Sequence, residues 1–228
     1  WDLPCITALC GRRDLRWSTL MGRTAEPLTV GLTGQSGAGK STVAESLLAL
    51  PGVRCLDLDR IYHELIAPGQ PLVAALAAAF SDAVVRQDGT LDRRALAAAA
   101  FATPENAQKL NAVTHPAILR ETARRRQALA ADPAVRAVLL DAPLLFESGL
   151  DRQCDRVIAV IAPEEVRLDR IRRRDGLPEE AVLRRFLRQQ PEEFYTSRAD
   201  LVLDTGGGQP LAALVQQAKR QLEEWCDR

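Results

Sequence analysis

The chain has 228 residues, 46% hydrophobic and 26% charged, and its 30 basic residues balance 30 acidic ones. These proportions exclude wholesale disorder, and zero net charge excludes a general electrostatic footprint for nucleic acid. The longest apolar runs, 72–80 and 95–102, are far too short to span a bilayer, so no integral membrane protein is expected.

The length suits one sizeable α/β domain. Residues 1–24 are expected to be an N-terminal extension outside the fold. Trp1–Leu20 carries Arg12, Arg13 and Arg16 but also Asp2 and Asp14, with neither a signal-type apolar core nor a clear amphipathic helix. Met21 is the candidate natural start, and 25–228 the single domain. Leu28–Thr33 reads as a buried strand, Gly34–Gly39 as a loop, and Lys40–Leu50 as a helix stopped by Pro51-Gly52. Val53–Leu58 is a second strand. This βαβ opening implies a parallel sheet with both faces covered.

The middle is helical. Ile61–Ile66, Pro71–Phe80, Arg93–Phe101, Pro104–Val113 and Pro116–Ala130 are separate candidates, the last two divided by His115-Pro116. Strands resume at Ala134–Asp141 and Arg156–Ile161. Two helices follow, Pro163–Arg174 and Pro178–Gln189, then a short strand at Leu201–Leu203 and a helix at Pro210–Trp225. The five cysteines, Cys5, Cys10, Cys55, Cys154 and Cys226, are odd in number and scattered. That argues against a disulfide framework and for a reducing, cytoplasmic setting.

Gly34-Gln35-Ser36-Gly37-Ala38-Gly39-Lys40-Ser41 matches G-x-x-x-x-G-K-[ST], with a strand before it and a helix after it. Glycines let the backbone wrap closely around phosphates, and converging N–H groups with the helix N-terminus hold the anion. Nucleotide binding is therefore assigned to Gln35, Ser36, Gly37, Ala38, Gly39, Lys40, Ser41 and Thr42. Lys40 would reach the β- and γ-phosphates, and Ser41 would join the Mg²⁺ shell. The loop alone does not give the reaction, since ATPases, GTPases and small-molecule kinases share it. No guanine-reading N-K-x-D occurs, which disfavours a GTPase.

Asp57 and Asp59 end the second strand, at the edge of an α/β sheet where ligands bind. One of them should face the loop and could accept a proton from an incoming hydroxyl; either could instead cap the following helix. Asp141 ends an apolar strand, the Walker-B arrangement that holds Mg²⁺ directly or through water. Arg167, Arg170 and Arg174, spaced i, i+3, i+7, share one helix face that could close over a nucleotide and neutralise charge.

The ordered set resembles the dephospho-CoA kinase family from about Leu28 to Leu214. The residues that carry the likeness are Leu32-Thr33-Gly34 and the loop; Asp57-Leu58-Asp59; Asp88-Gly89-Thr90-Leu91-Asp92-Arg93-Arg94-Ala95-Leu96; His115-Pro116; Asp141-Ala142-Pro143-Leu144-Leu145-Phe146-Glu147; Arg170–Gly176; Gln189; and Ala199-Asp200. The resemblance implies a phosphate-loop kinase core with a parallel five-stranded sheet flanked by helices. It adds a helical acceptor-binding insertion at about 61–131, with His115 near its hinge, and a helical lid at about 163–190. It implies transfer of the γ-phosphoryl of ATP, with Mg²⁺, to the ribose 3′-hydroxyl of dephospho-CoA, the last step of coenzyme A biosynthesis. The base would be Asp59, the phosphate lysine Lys40, the magnesium ligands Ser41 and Asp141, and the lid arginines Arg170 and Arg174. The departures are Gln35, Ser36 and Ala38 in the loop, Arg167 where Gln is common, and Thr205 where Asn often follows the last strand. The competing readings are another phosphate-loop nucleoside or metabolite kinase, and a non-catalytic nucleotide-binding regulator. No nucleic-acid or membrane partner is expected, and the sequence leaves the oligomeric state open.

Overall fold

Five strands form one sheet in the computed structural model, which describes residues 26–187 and 189–228. They are β1 (Leu28–Gly34), β2 (Val53–Asp57), β3 (Ala137–Asp141), β4 (Arg156–Ile161) and β5 (Leu201–Asp204). Every pairing is parallel and the order is β2-β3-β1-β4-β5. The phosphate loop therefore leaves the central strand. The expected extension at 1–24, with Cys5 and Cys10, lies outside the described residues.

The helices among the described residues are α1 (Lys40–Leu48), α2 (Leu58–Leu65), α3 (Pro71–Phe80), α4 (Arg93–Ala100), α5 (Pro104–Ala130), α6 (Glu164–Asp175), α7 (Glu179–Phe186), α8 (Glu192–Thr196) and α9 (Leu211–Cys226). Side chains alternate across the sheet. Val30, Leu32, Leu139, Ile158 and Val160 pack under Val43 and Leu47 of α1 and Leu214, Leu222 and Trp225 of α9. Val138, Leu140 and Val157 turn the other way, onto Leu58 and Ile61 of α2 and Ile118, Leu119 and Leu129 of α5. Period-two burial on both faces is what a covered parallel sheet demands.

Helices α3 and α4 enclose a separate apolar cluster built on Leu72, Val73, Leu76, Val84, Leu91 and Leu96, against which Leu110, Val113 and Ala117 of α5 pack. The Asp88-Gly89-Thr90 segment is a tight turn between Val85 and Leu91, which pair as an isolated antiparallel bridge. Asp88 closes it by accepting from the Thr90 N–H at 2.9 Å and the Thr90 hydroxyl at 2.6 Å.

Four of the departures from expectation have a clear physical reason. The helix expected to break at His115-Pro116 runs unbroken from Pro104 to Ala130. Pro116 removes one rung and should kink or end a helix. Here Leu110 and Val113 before it and Ala117 just after it pack on the α3–α4 cluster, and Ile118, Leu119 and Leu129 beyond it pack under the sheet, so packing on both sides outweighs the local cost. Helix α2 starts at Leu58 instead of Ile61, because Asp57 caps it. Strand β3 starts three residues later than expected, because Val135 N–H closes a turn onto Asp132 C=O at 3.0 Å. The five-residue α8 carries no periodicity to find; it exists to bury Tyr195 against Ala159 and Ile161.

Candidate active site

Gly34 has φ 147°, and a Cβ there would lie 2.1 Å from the Val160 carbonyl oxygen. Gly37 has φ 82°, and its Cβ would meet the Arg167 carbonyl oxygen at 2.8 Å. The loop is thus pressed between β4 and α6 with no room for side chains at these two points. Lys40 is the first residue of α1, followed by the exposed Ser41 and Thr42, so the lysine and both hydroxyls stand at an open helix N-terminus. Gln35 is buried, its N–H bonded to Val160 C=O at 3.3 Å and its C=O to Ala38 N–H at 3.1 Å. Its contribution to the loop is backbone. The Ser36 N–H donates to Gln189 Oε1 at 3.3 Å.

Lys40 Nζ donates to Asp141 Oδ1, joining the loop to the end of β3. Asp57 pairs in register with Asp141 across β2 and β3. Its carboxylate accepts the Arg60 N–H at 3.0 Å, which makes it the N-cap of α2. The capping alternative therefore holds for Asp57. Asp59, in the first turn of α2, has no such duty. Its pKa is raised, first by desolvation, then by the neighbouring Asp57 charge, and also by Asp141, while Lys40 acts in the opposite sense. Two strand ends and one helix start thus bring Lys40, Asp141 and Asp59 to one edge of the sheet. Such a group can hold an anion and accept a proton beside it.

The three arginines of α6 part company. Arg170 Nη1 donates to Thr205 Oγ1 at 2.8 Å and lies 3.4 Å from the carbonyl oxygens of both Gly37 and Ala38. Its Nη2 donates to Thr205 C=O at 3.0 Å. The Thr205 hydroxyl in turn donates to Ala38 C=O at 2.6 Å. Arg170 and Thr205 together grip the outer, carbonyl side of the loop. Arg167 is buried, donates to Ala162 C=O at 2.9 Å and to Gln189 at 3.3 Å, and stacks on the Phe186 ring with its guanidinium carbon 4.2 Å from the centroid. Burial lowers its pKa. Arg174 forms a bidentate pair with Asp175, at 2.7 and 2.9 Å. The sequence marked Thr205 only as a departure from the usual Asn and gave no sign of its grip on the loop, since its partners are 167 and 35 residues away.

No cluster of three or more His, Cys, Asp or Glu side chains suited to a metal occurs among the described residues. The donors at this edge are oxygens, from Ser41, Asp141 and their acidic neighbours. That set fits Mg²⁺, which takes one or two carboxylates and completes its shell with water and substrate phosphates. No helix among the described residues is long and apolar enough to cross a membrane.

The model of the family described as "CoaE: Dephospho-CoA kinase" matches residues 28–210. A dephospho-CoA kinase of Corynebacterium efficiens is 43% identical over 201 residues, covering 88% of this chain and 98% of that one. A dephospho-CoA kinase of Corynebacterium glutamicum is 44% identical over the same length and with the same coverage. Among solved structures, TT1252 from Thermus thermophilus superposes with a TM-score of 0.73 at 36% identity, covering 88% of this chain and 98% of that one. The dephospho-CoA kinase from Campylobacter jejuni superposes at 0.62 and 26% identity, covering 87% and 97%. With that match, the phosphate loop and the acidic sheet edge take their place in a known lineage: the chain belongs to the dephospho-CoA kinase family.

Proposed function

We propose that the chain transfers the γ-phosphoryl group of ATP to the ribose 3′-hydroxyl of dephospho-CoA, giving coenzyme A and ADP. The observation that carries this is the convergence of Lys40, Asp141 and Asp59 at one sheet edge, in a chain whose family match spans residues 28–210. Residues 35–42 cradle the phosphates. Lys40, now neutralised by Asp141, turns to the β- and γ-phosphates when they arrive, which frees the carboxylate. Mg²⁺, when bound, would be held by Ser41 and Asp141 and would supply charge neutralisation on the phosphates.

Asp59 orients the acceptor hydroxyl and takes its proton. Its support is its position in the first turn of α2, beside the lysine, with no capping bond to satisfy. The helices within 61–131 serve as the acceptor-binding part and 163–190 as the lid. Arg170 keeps the loop in shape from its outer side. Arg174 leaves Asp175 as the lid closes and meets the charge developing on the transferring group. The test is to incubate the protein with ATP·Mg²⁺ and a panel of hydroxyl acceptors and weigh the products. A mass gain on dephospho-CoA well ahead of nucleosides and sugars is expected; preference for another acceptor would overturn the assignment.

A further inference from the structure

Helix α2 carries Asp59 in its first turn and His63 one turn later, so both side chains lie on the same stripe of the helix. Across from that stripe stands Arg93, the first residue of α4, with Nη1 3.2 Å from His63 Nε2. A guanidinium can only donate, so His63 Nε2 is the acceptor and the proton of the neutral ring is on Nδ1. Of the arginines around Arg93, Arg86 pairs with Asp92, Arg60 with Glu64, and Arg125 with Glu64 and Glu121, while the adjacent Arg94 has neither an ion pair nor an imidazole partner among the described residues. Arg93 has no ion pair among the described residues. Both Arg93 and His63 are exposed, and so is Asp59.

The α2–α4 face therefore presents a full positive charge, held by a neutral imidazole and left without a counter-charge, one helical turn from the proposed base. From this juxtaposition we propose that Arg93 binds the diphosphate of the acceptor, with His63 as the residue that positions it. The proposal rests on the reading of Asp59 as the group facing the acceptor hydroxyl. In an acceptor whose ribose 3′-hydroxyl lies at Asp59, the 5′-diphosphate leaves the same ribose a short way off. Arginine is suited to it, since its planar fork pairs with two phosphate oxygens at once. The neutral ring fixes the guanidinium without neutralising it, which a carboxylate partner would do.

The test is a cycle in protein and substrate. Initial rates are measured for the full chain with ATP·Mg²⁺ and either dephospho-CoA or adenosine, which keeps the ribose hydroxyls and base but has no diphosphate. Arg93→Ala is expected to raise the KM for dephospho-CoA by about tenfold to a hundredfold, the range of a charge-assisted hydrogen bond, with kcat changed less than about threefold. On adenosine the same substitution is expected to change kcat/KM by less than about threefold. Arg93→Lys should recover part of the loss, and His63→Ala should raise KM by a smaller factor. Arg94→Ala, which removes the same charge one residue on, is the control and should leave KM near the parent value. Calorimetric titration of dephospho-CoA reads the contrast without turnover. Equal losses on both acceptors would mean a structural role, and an equal loss in Arg94→Ala would mean a diffuse field; either overturns the proposal, as does an unchanged KM in Arg93→Ala. If the parent protein binds dephospho-CoA but does not phosphorylate it, the kinase reading fails, while the calorimetric contrast still decides for or against Arg93.

Discussion

The phosphate loop rests on two supports of different build. Beneath it is the sheet, where Val30, Leu32, Leu139 and Ile158 have no exposed surface and pack against α1 and α9 on one face, while Val138, Leu140 and Val157 pack against α2 and α5 on the other. Beside it is the arm formed by α6 and α7, whose buried apolar residues are Ile171, Val182 and Phe186 alone. The sheet fixes atoms; the arm is attached through Val166 against the core and a few polar contacts, from Arg167 to Ala162, from Arg170 to the loop and Thr205, and from Gln189 to Ser36. Regions with so few buried contacts open at lower free energy than the global fold. A phosphoryl-transfer site needs both kinds of support, one to hold the reacting groups and one to admit and enclose the nucleotide.

The largest expected effect falls on the sheet side. Asp59→Asn keeps the shape but loses the proton acceptor, so turnover should fall by roughly 10²–10³-fold, the lower part of the general-base range, because the proton leaves late in a loose transition state. ATP affinity should hold within about twofold. Asp57→Asn should lose far less turnover, since its role is a cap worth about 1 kcal/mol. Single-turnover kinetics with nucleotide titration separates these outcomes, and the reverse ranking would assign the base to Asp57.

The same truncation in the two supports should give unequal results. Leu139→Ala is expected to cost about 2–5 kcal/mol of global stability. Val182→Ala should hardly move the global unfolding transition but should speed amide exchange across α6 and α7. Equal losses in denaturant melts would show that the arm and the sheet unfold as one unit. Arg174→Ala comes next. Its side chain is largely exposed and already paired with Asp175, so a loss on the order of tenfold in turnover is expected, below that of a buried oxyanion donor, with a smaller change in acceptor KM. A raised KM at unchanged turnover would remove Arg174 from the transition state.

The smallest effect is on pH. The Asp59 carboxyl must be ionised to act, and desolvation and Asp57 lift its pKa above 3.8. The acid limb of kcat/KM should therefore be displaced upward from that of an ordinary aspartate and vanish in Asp59→Asn. Stability carries the opposite sign. A folded-state pKa above the unfolded one means the native state binds more protons there, so stability falls as pH rises through that window. Asp59→Asn should therefore melt slightly higher than the parent at pH 7 and equal to it below about pH 4. A lower melting temperature at pH 7 would contradict the raised pKa.

Much of this site was legible in the sequence because its parts are local. The phosphate loop is contiguous, and a carboxylate at the end of an apolar strand marks the ligand edge whatever the rest of the fold does. Spacing alone left Asp57 and Asp59 open and only the resemblance pointed to Asp59, because which of them caps α2 is a matter of one backbone bond. The grip of Arg170 and Thr205 on the loop was hidden for another reason: β5 reaches β1 only through sheet pairing across β4. His115-Pro116 read as a break because propensity acts on the segment alone, while α5 is held by two apolar clusters distant in sequence. Arg167 read as one of three like residues on a face, yet it is the buried one, stacked on Phe186 from the next helix.

That unbroken α5 has a mechanical consequence. Its N-terminal half belongs to the α3–α4 cluster and its C-terminal half to the sheet, and Pro116, with its missing rung, falls between Leu110 and Val113 on one side and Ile118 and Leu119 on the other. A beam is most compliant where its section is reduced. Flexure at this point breaks no backbone bond at residue 116 that proline has not already removed. A load applied to α3 and α4 is therefore carried by α5 as a rigid strut up to Pro116 and relieved there, leaving the strands under Lys40 and Asp141 undisturbed.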